Sequence, residues 1–103
     1  MELSKEELKE LGISKELWND WKKVMNALWT ATNSIDPNNV VNDGENSIVW
    51  QPYMNAKWKI SCNFINNSWL RIDASKNDKD ILTIRYDGDV QRIVKVVMYA
   101  VVG

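Results

Sequence analysis

KWKISCNFINNSWLRID, residues 57–73, decides the fold. Trp58, Ile60, Cys62 and Phe64 alternate with Lys57, Lys59, Ser61 and Asn63; beyond the Asn-rich turn, Leu70 and Ile72 alternate with Trp69, Arg71 and Asp73. A period of two sends each set to its own face of a sheet. The turn length determines whether the apolar sets coincide. A two-residue turn at Asn66-Asn67 pairs Cys62 with Arg71 and Ile60 with Asp73, mixing the faces. A three-residue loop, Asn66 to Ser68, pairs Phe64 with Leu70, Cys62 with Ile72 and Ile60 with Ala74. Only the odd loop keeps the apolar face whole, so the stretch is expected to be an antiparallel hairpin with that register.

The same period extends on both sides. Ile48, Trp50 and Met54 alternate with Val49, Gln51 and Tyr53, and Leu82, Ile84 and Tyr86 alternate with Ile81, Thr83 and Arg85. Parity sets Leu82 opposite Ala74 and Ile84 opposite Ile72. Four strands joined by short polar links make a meander over 47–86. Pro52 has no N–H for a ladder and marks the first of these strands as an edge. Residues 35–47, with Asp36-Pro37 and Asp43-Gly44, are expected to form only a loop. Within them NDGEN resembles the start of an EF-hand loop, but Trp50 stands where the bidentate Glu must be, so no metal site is expected.

Helical signals flank the meander. Ser4 and Glu7 have the spacing of a capping box, and Gly12 suits the left-handed residue that ends a short helix. Ser14 caps a longer helix to about Ser34, in which Leu17, Trp18, Trp21, Val24, Met25, Leu28 and Trp29 form one stripe. In the tail, a hairpin at Asp87-Gly88 pairs Ile84 with Gln91 and mixes faces. A helix capped by Asp89 instead aligns Val90, Ile93, Val94, Val97 and Val101. The expected fold is α+β: two N-terminal helices, a four-stranded antiparallel meander and a C-terminal helix, with the helices packed on one sheet face. One domain spans 1–103: a helical hairpin at 1–34, the meander at 47–86 and the C-terminal helix at 89–102.

Composition restricts the chemistry. The chain has 103 residues, a net charge of −1, six Trp, one Cys and no His. Imidazole bases and ligands are excluded, and Cys62 has no partner within the chain for a disulfide. Cys62 lies on the apolar face, where a thiol behaves as a small hydrophobe. The Asp residues at 73, 78, 80, 87 and 89 sit among turn letters, and no glycine-rich phosphate loop exists. No catalytic residue, metal or cofactor is expected, and the chain is read as a non-enzyme. The charged start MELSKEELKE and the lack of a long apolar run point to a cytoplasmic protein with no membrane partner.

Binding is the function left to argue. With helices on the apolar face, the other sheet face carries Tyr53, Lys57, Lys59, Trp69, Arg71 and Arg85, cations interleaved with aromatic rings. The leading expectation is an intracellular module that acts by protein–protein contact through these residues, as an inhibitor, an immunity-type protein or an adaptor, on a partner with an acidic surface. The alternative uses the same face for single-stranded DNA or RNA. A third is a structural subunit of an oligomer, because Val96, Tyr99 and Val102 fall outside the core-facing stripe of the last helix. The Gly12-Ile13-Ser14 turn resembles a helix-turn-helix, yet its second helix begins with Glu16, Asn19 and Asp20, the wrong charge for a DNA groove.

Overall fold

A computed structural model describes residues 3–36, 38–42, 46–53 and 56–102, with backbone alone at 42, 52 and 53. The expectations for Met54 and for the side chain of Tyr53 lie outside the described residues. The element order is α1 (Lys5–Leu11), α2 (Lys15–Ile35), β1 (Val40–Asn42), β2 (Ser47–Tyr53), β3 (Ala56–Ile65), β4 (Trp69–Lys76), β5 (Lys79–Arg85) and α3 (Val90–Val102). The five strands form one antiparallel sheet in sequence order, and the α+β class stands.

The helix ends follow the capping letters. Ser4 Oγ accepts from Glu7 N at 3.2 Å while Glu7 Oε1 accepts from Ser4 N at 3.1 Å. Gly12 takes φ 75°, which a residue with a Cβ adopts only at a cost. Ser14 Oγ accepts from Leu17 N, and Asp89 Oδ1 accepts from Arg92 N at 3.1 Å, so the tail is the expected capped helix.

Two expectations are corrected. The segment read only as a loop contains β1, which pairs Val40 with Trp50 and Asn42 with Ile48. Three residues are too short a run for a period of two to be legible among Asn and Asp. The sheet therefore has five strands, and β2 is not its edge. Pro52 instead falls in a bulge: Trp50 faces Trp58 and Tyr53 faces Ala56, which leaves one extra residue on β2. A bulge, like an edge, is a place where a missing N–H is tolerated.

The register of the central hairpin is the one turn parity demands, with Phe64 opposite Leu70, Cys62 opposite Ile72 and Ile60 opposite Ala74. Asn66 and Asn67 supply the positive φ values of 51° and 57° that the loop requires. The β4–β5 connection meets the same constraint differently. Asn77 and Asp78, at φ 52° and 67°, make a two-residue turn that by itself would mix the faces. A bulge at Ile81 restores the register, and Leu82 faces Ala74 and Ile84 faces Ile72. Burial of the apolar face outweighs an unbroken ladder.

That face is covered by helices. Ile48, Trp50, Trp58, Ile60, Cys62, Leu70, Ile72 and Ala74 are buried against Trp18, Trp21, Val24, Met25 and Leu28 of α2 and Ile93, Val97 and Val101 of α3. Trp18, Trp21 and Phe64 stack on one another, and Trp50 stacks on Trp58 at 4.8 Å between centroids. Trp21 Nε1 donates to Cys62 O at 3.0 Å, which ties α2 to β3. At the other end of α2, Trp50 Nε1 and Asn39 Nδ2 both donate to Asp36 Oδ2. Thr32, fully buried, donates to the carbonyls of Leu28 and Trp29. No helix among the described residues is long and apolar enough to cross a membrane.

Candidate functional site

The side chains at odd positions of β3 and β4, with Thr83 and Arg85 beyond the bulge of β5, share the sheet face that no helix covers. Across it run the rows Lys59–Ser75, Ser61–Asp73–Thr83, Asn63–Arg71–Arg85 and Ile65–Trp69. The alternation and two parity-preserving connections thus bring Lys57, Lys59, Trp69, Arg71 and Arg85 onto one surface, as their spacing predicts. Lys57, Lys59 and Arg85 are exposed; Trp69 and Arg71 are half-buried.

These residues are not equivalent. Arg85 lies over the ring of Trp69, with its guanidinium carbon 4.8 Å from the centroid. The pair is diagonal across β4 and β5, a spacing long side chains bridge. Trp69 is therefore capped by a cation instead of presenting a bare ring. Arg71 Nε donates to Asp73 Oδ2 at 2.9 Å. The same oxygen accepts from Asn63 Nδ2 at 3.1 Å, and Asp73 Oδ1 accepts from Thr83 Oγ1 at 3.0 Å. Asn63 is itself oriented by Ser61 Oγ, at 3.2 Å, and by Asn46 Nδ2, which donates to Asn63 Oδ1 at 2.8 Å.

Asp73 organises the centre of the face, and sequence reasoning did not give it that role. The signal was present: Asp73 is the one acid among the residues assigned to this face, and the predicted register already places it beside Asn63, Arg71 and Thr83. Its effect is to divide the cations. Lys59 and Arg71 are four residues apart along the register, about 13 Å, with the Asp73 row between them. The surface reads basic, acidic, basic along the strands. A shallow depression of about 160 Å³ beside it is lined by Lys59, Ser61, Asp73, Ala74, Ser75 and Asp80.

Two other features were not foreseen. An apolar groove of about 430 Å³ opens where Leu3, Leu11, Ile13, Trp18, Trp21 and Phe64 meet. Trp18 Nε1 and Trp58 Nε1 are buried with no acceptor among the described residues. Cys62 is fully buried, and burial first, then the Asp73 carboxylate, pushes its thiol up to about 12. A thiolate is not accessible there at neutral pH. Among the described residues no group of three His, Cys, Asp or Glu side chains has the arrangement to hold a metal ion.

The fold and this surface define the chain as an α+β domain with a helix-covered sheet and one patterned open face. Compared with protein-family models, with curated proteins and with solved structures, the chain matches none.

Proposed function

We propose that the chain is a small intracellular binding module that acts by contact with another protein, without chemistry of its own, as an inhibitor, an immunity-type protein or an adaptor. The observation that carries this is the open sheet face: Trp69, Arg71 and Arg85, residue types that dominate interface hot spots, are gathered on a rigid sheet and held in place by Asp73 and by stacking. Pre-ordered side chains lose less entropy on binding than free ones. The expected partner surface is acidic, meeting Trp69, Arg71 and Arg85 at one end of the face and Lys59 and Lys57 towards the other; the β2 bulge sets Tyr53 opposite buried Ala56, out of phase with the expected open-face alternation.

Single-stranded nucleic acid is the competing use of the same face. The pattern supports it less well, because Asp73 interrupts any phosphate path from Lys59 to Arg71 and Arg85 occupies one face of the only aromatic ring described there. Self-association through α3 is a separate reading, motivated by Tyr99, 81% exposed, and by the exposed Val102.

The deciding experiment is affinity capture from the native source with wild type and Trp69→Ala, repeated with oligothymidine as competitor. Loss of one protein partner in the variant, with no effect of the competitor, supports protein contact. Release by the competitor supports nucleic acid, and a partner retained in full by Trp69→Ala refutes the placement. Sedimentation velocity at several concentrations tests the oligomer; a strict monomer removes it.

A further inference from the structure

β5 is the last strand of the sheet, and no strand among the described residues pairs with its outer edge. Tyr86 N donates to Leu70 O at 3.0 Å, one step along the ladder from the opposed Arg71 and Arg85. By the alternation of an antiparallel pair, Thr83 and Arg85 then turn their N–H and C=O groups away from β4, towards that edge. The strand is also incompletely covered. Leu82 and Ile84 lie on the apolar face but are only half-buried, whereas Ala74 and Ile72 beside them are buried. α2 lies over β3 and β4, and α3 over β4 and β5. Gln91 and Val94 line the gap between α3 and α2. A rotation of about 100° per residue therefore puts Val96 and Ala100 on the opposite flank of α3, on the side of the β5 edge, and both are half-buried.

We propose that this edge pairs antiparallel with β5 of a second copy of the chain, about a two-fold axis at Thr83, and joins the two sheets into one. The bulge selects the register. Ile81 is the extra residue, so Asp80 takes the position opposite Ser75 and stands on the open face with Arg85. Counted past the bulge, an axis at Thr83 opposes Leu82 to Ile84 of the second copy on the apolar face. On the open face it opposes Asp80 to the second copy's Arg85, and symmetry makes each contact twice. Thr83 meets itself with its outward N–H and C=O in hydrogen-bonding position. The neighbouring registers fail: an axis at Leu82 opposes Ile84 to Lys79, one at Ile84 opposes Asp80 to Asp87, and one at Arg85 opposes the arginines themselves. The Arg85 guanidinium lies over Trp69, and opposite charges at opposed positions attract across the ladder while it stays there. Val96 and Ala100 of the two α3 helices flank the axis on the covered side. Both copies turn their open faces the same way, so the dimer doubles that surface whatever it binds.

The test is sedimentation velocity of the full chain from micromolar to millimolar concentration, where a monomer–dimer equilibrium is expected. Asp80→Lys and Arg85→Glu should each raise the dimer dissociation constant roughly tenfold, because each sets like charges at two opposed positions. The double variant Asp80→Lys/Arg85→Glu restores opposite charges and should return to within about threefold of wild type, a coupling specific to this register. Thr83→Pro removes an edge N–H that the single chain does not use and should abolish the dimer. Circular dichroism checks that each variant is folded, and the charge reversals decide the matter if the proline variant is not. A monomer at every concentration overturns the inference, as do single reversals without effect or a double reversal no better than the singles. A dimer lost in Tyr99→Ser but unchanged by the edge variants also overturns it and moves the contact to the outer face of α3.

Discussion

The stacked indoles of α2 offer a stringent test of how the core is held. Trp18 and Trp21 lie 4.9 Å apart and nearly parallel, and both are buried, at 5% and 7% exposure. They differ in one respect: Trp21 Nε1 donates to Cys62 O, whereas Trp18 Nε1 has no acceptor among the described residues. Replacing either by Phe removes similar apolar volume and retains a ring, so the packing cost is shared. Trp21→Phe also leaves the Cys62 carbonyl without its donor, at a cost of about 1–3 kcal/mol. Trp18→Phe removes a buried N–H whose desolvation is uncompensated, and so regains about 1–3 kcal/mol. Trp21→Phe is therefore expected to be the less stable variant by at least about 2 kcal/mol, a gap of roughly 10 °C or more in Tm for a domain of this size. The assay is urea unfolding followed by far-UV circular dichroism, which does not depend on the indoles being replaced, with equal m values as the control for a common denatured state. Two variants within about 0.5 kcal/mol of each other, or in the reverse order, would refute the reasoning.

Two further outcomes follow from local chemistry. The Cys62 thiol is held up to about 12 in the folded chain, against an ordinary value of 9.0, mainly by burial. Its folded pKa lies above the unfolded one, so its contribution is complete below pH 9 and declines between 9 and 12, where the unfolded chain releases the proton first. Wild type should lose stability relative to Cys62→Ala as pH rises past 9, and a pH-independent difference would contradict this. At the start of α3, Asp89→Ala should cost about 1 kcal/mol, with Asp89→Asn retaining most of the cap; unchanged urea midpoints for the alanine variant would show that the bond from Arg92 N contributes nothing.

Much of the architecture was legible because the apolar positions carry strict periods. Cys62, Ile72 and Ile84 could be assigned to one row from their spacing alone, since a slip of one residue would expose them all. The same argument ruled out a hairpin at Asp87-Gly88 and left the capped helix. β1 was missed because Val40 and Val41 are too few to show alternation. Pro52 was assigned to an edge because a bulge tolerates the same missing N–H, and letters alone do not separate the two. At the site, common placement of Lys57, Lys59, Trp69, Arg71 and Arg85 was legible, but their pairings were not. Which neighbour a long side chain chooses depends on rotamer and distance, and neither has a period.

The sequence by itself therefore determined the caps at Ser4, Ser14 and Asp89, the faces of the residues in β3 and β4 and of Leu82 to Arg85 in β5, and the apolar row that their register must align. These are local or topological constraints, and burial of the apolar face enforces them. Only the tertiary structure decided that Ile81 bulges to realign β5, that Trp21 closes on Cys62 O, and that Asp73 holds Arg71 while Arg85 covers Trp69. Each of these joins residues distant along the chain or chooses among several chemically competent partners. That choice is made by the packed geometry of the sheet beneath them.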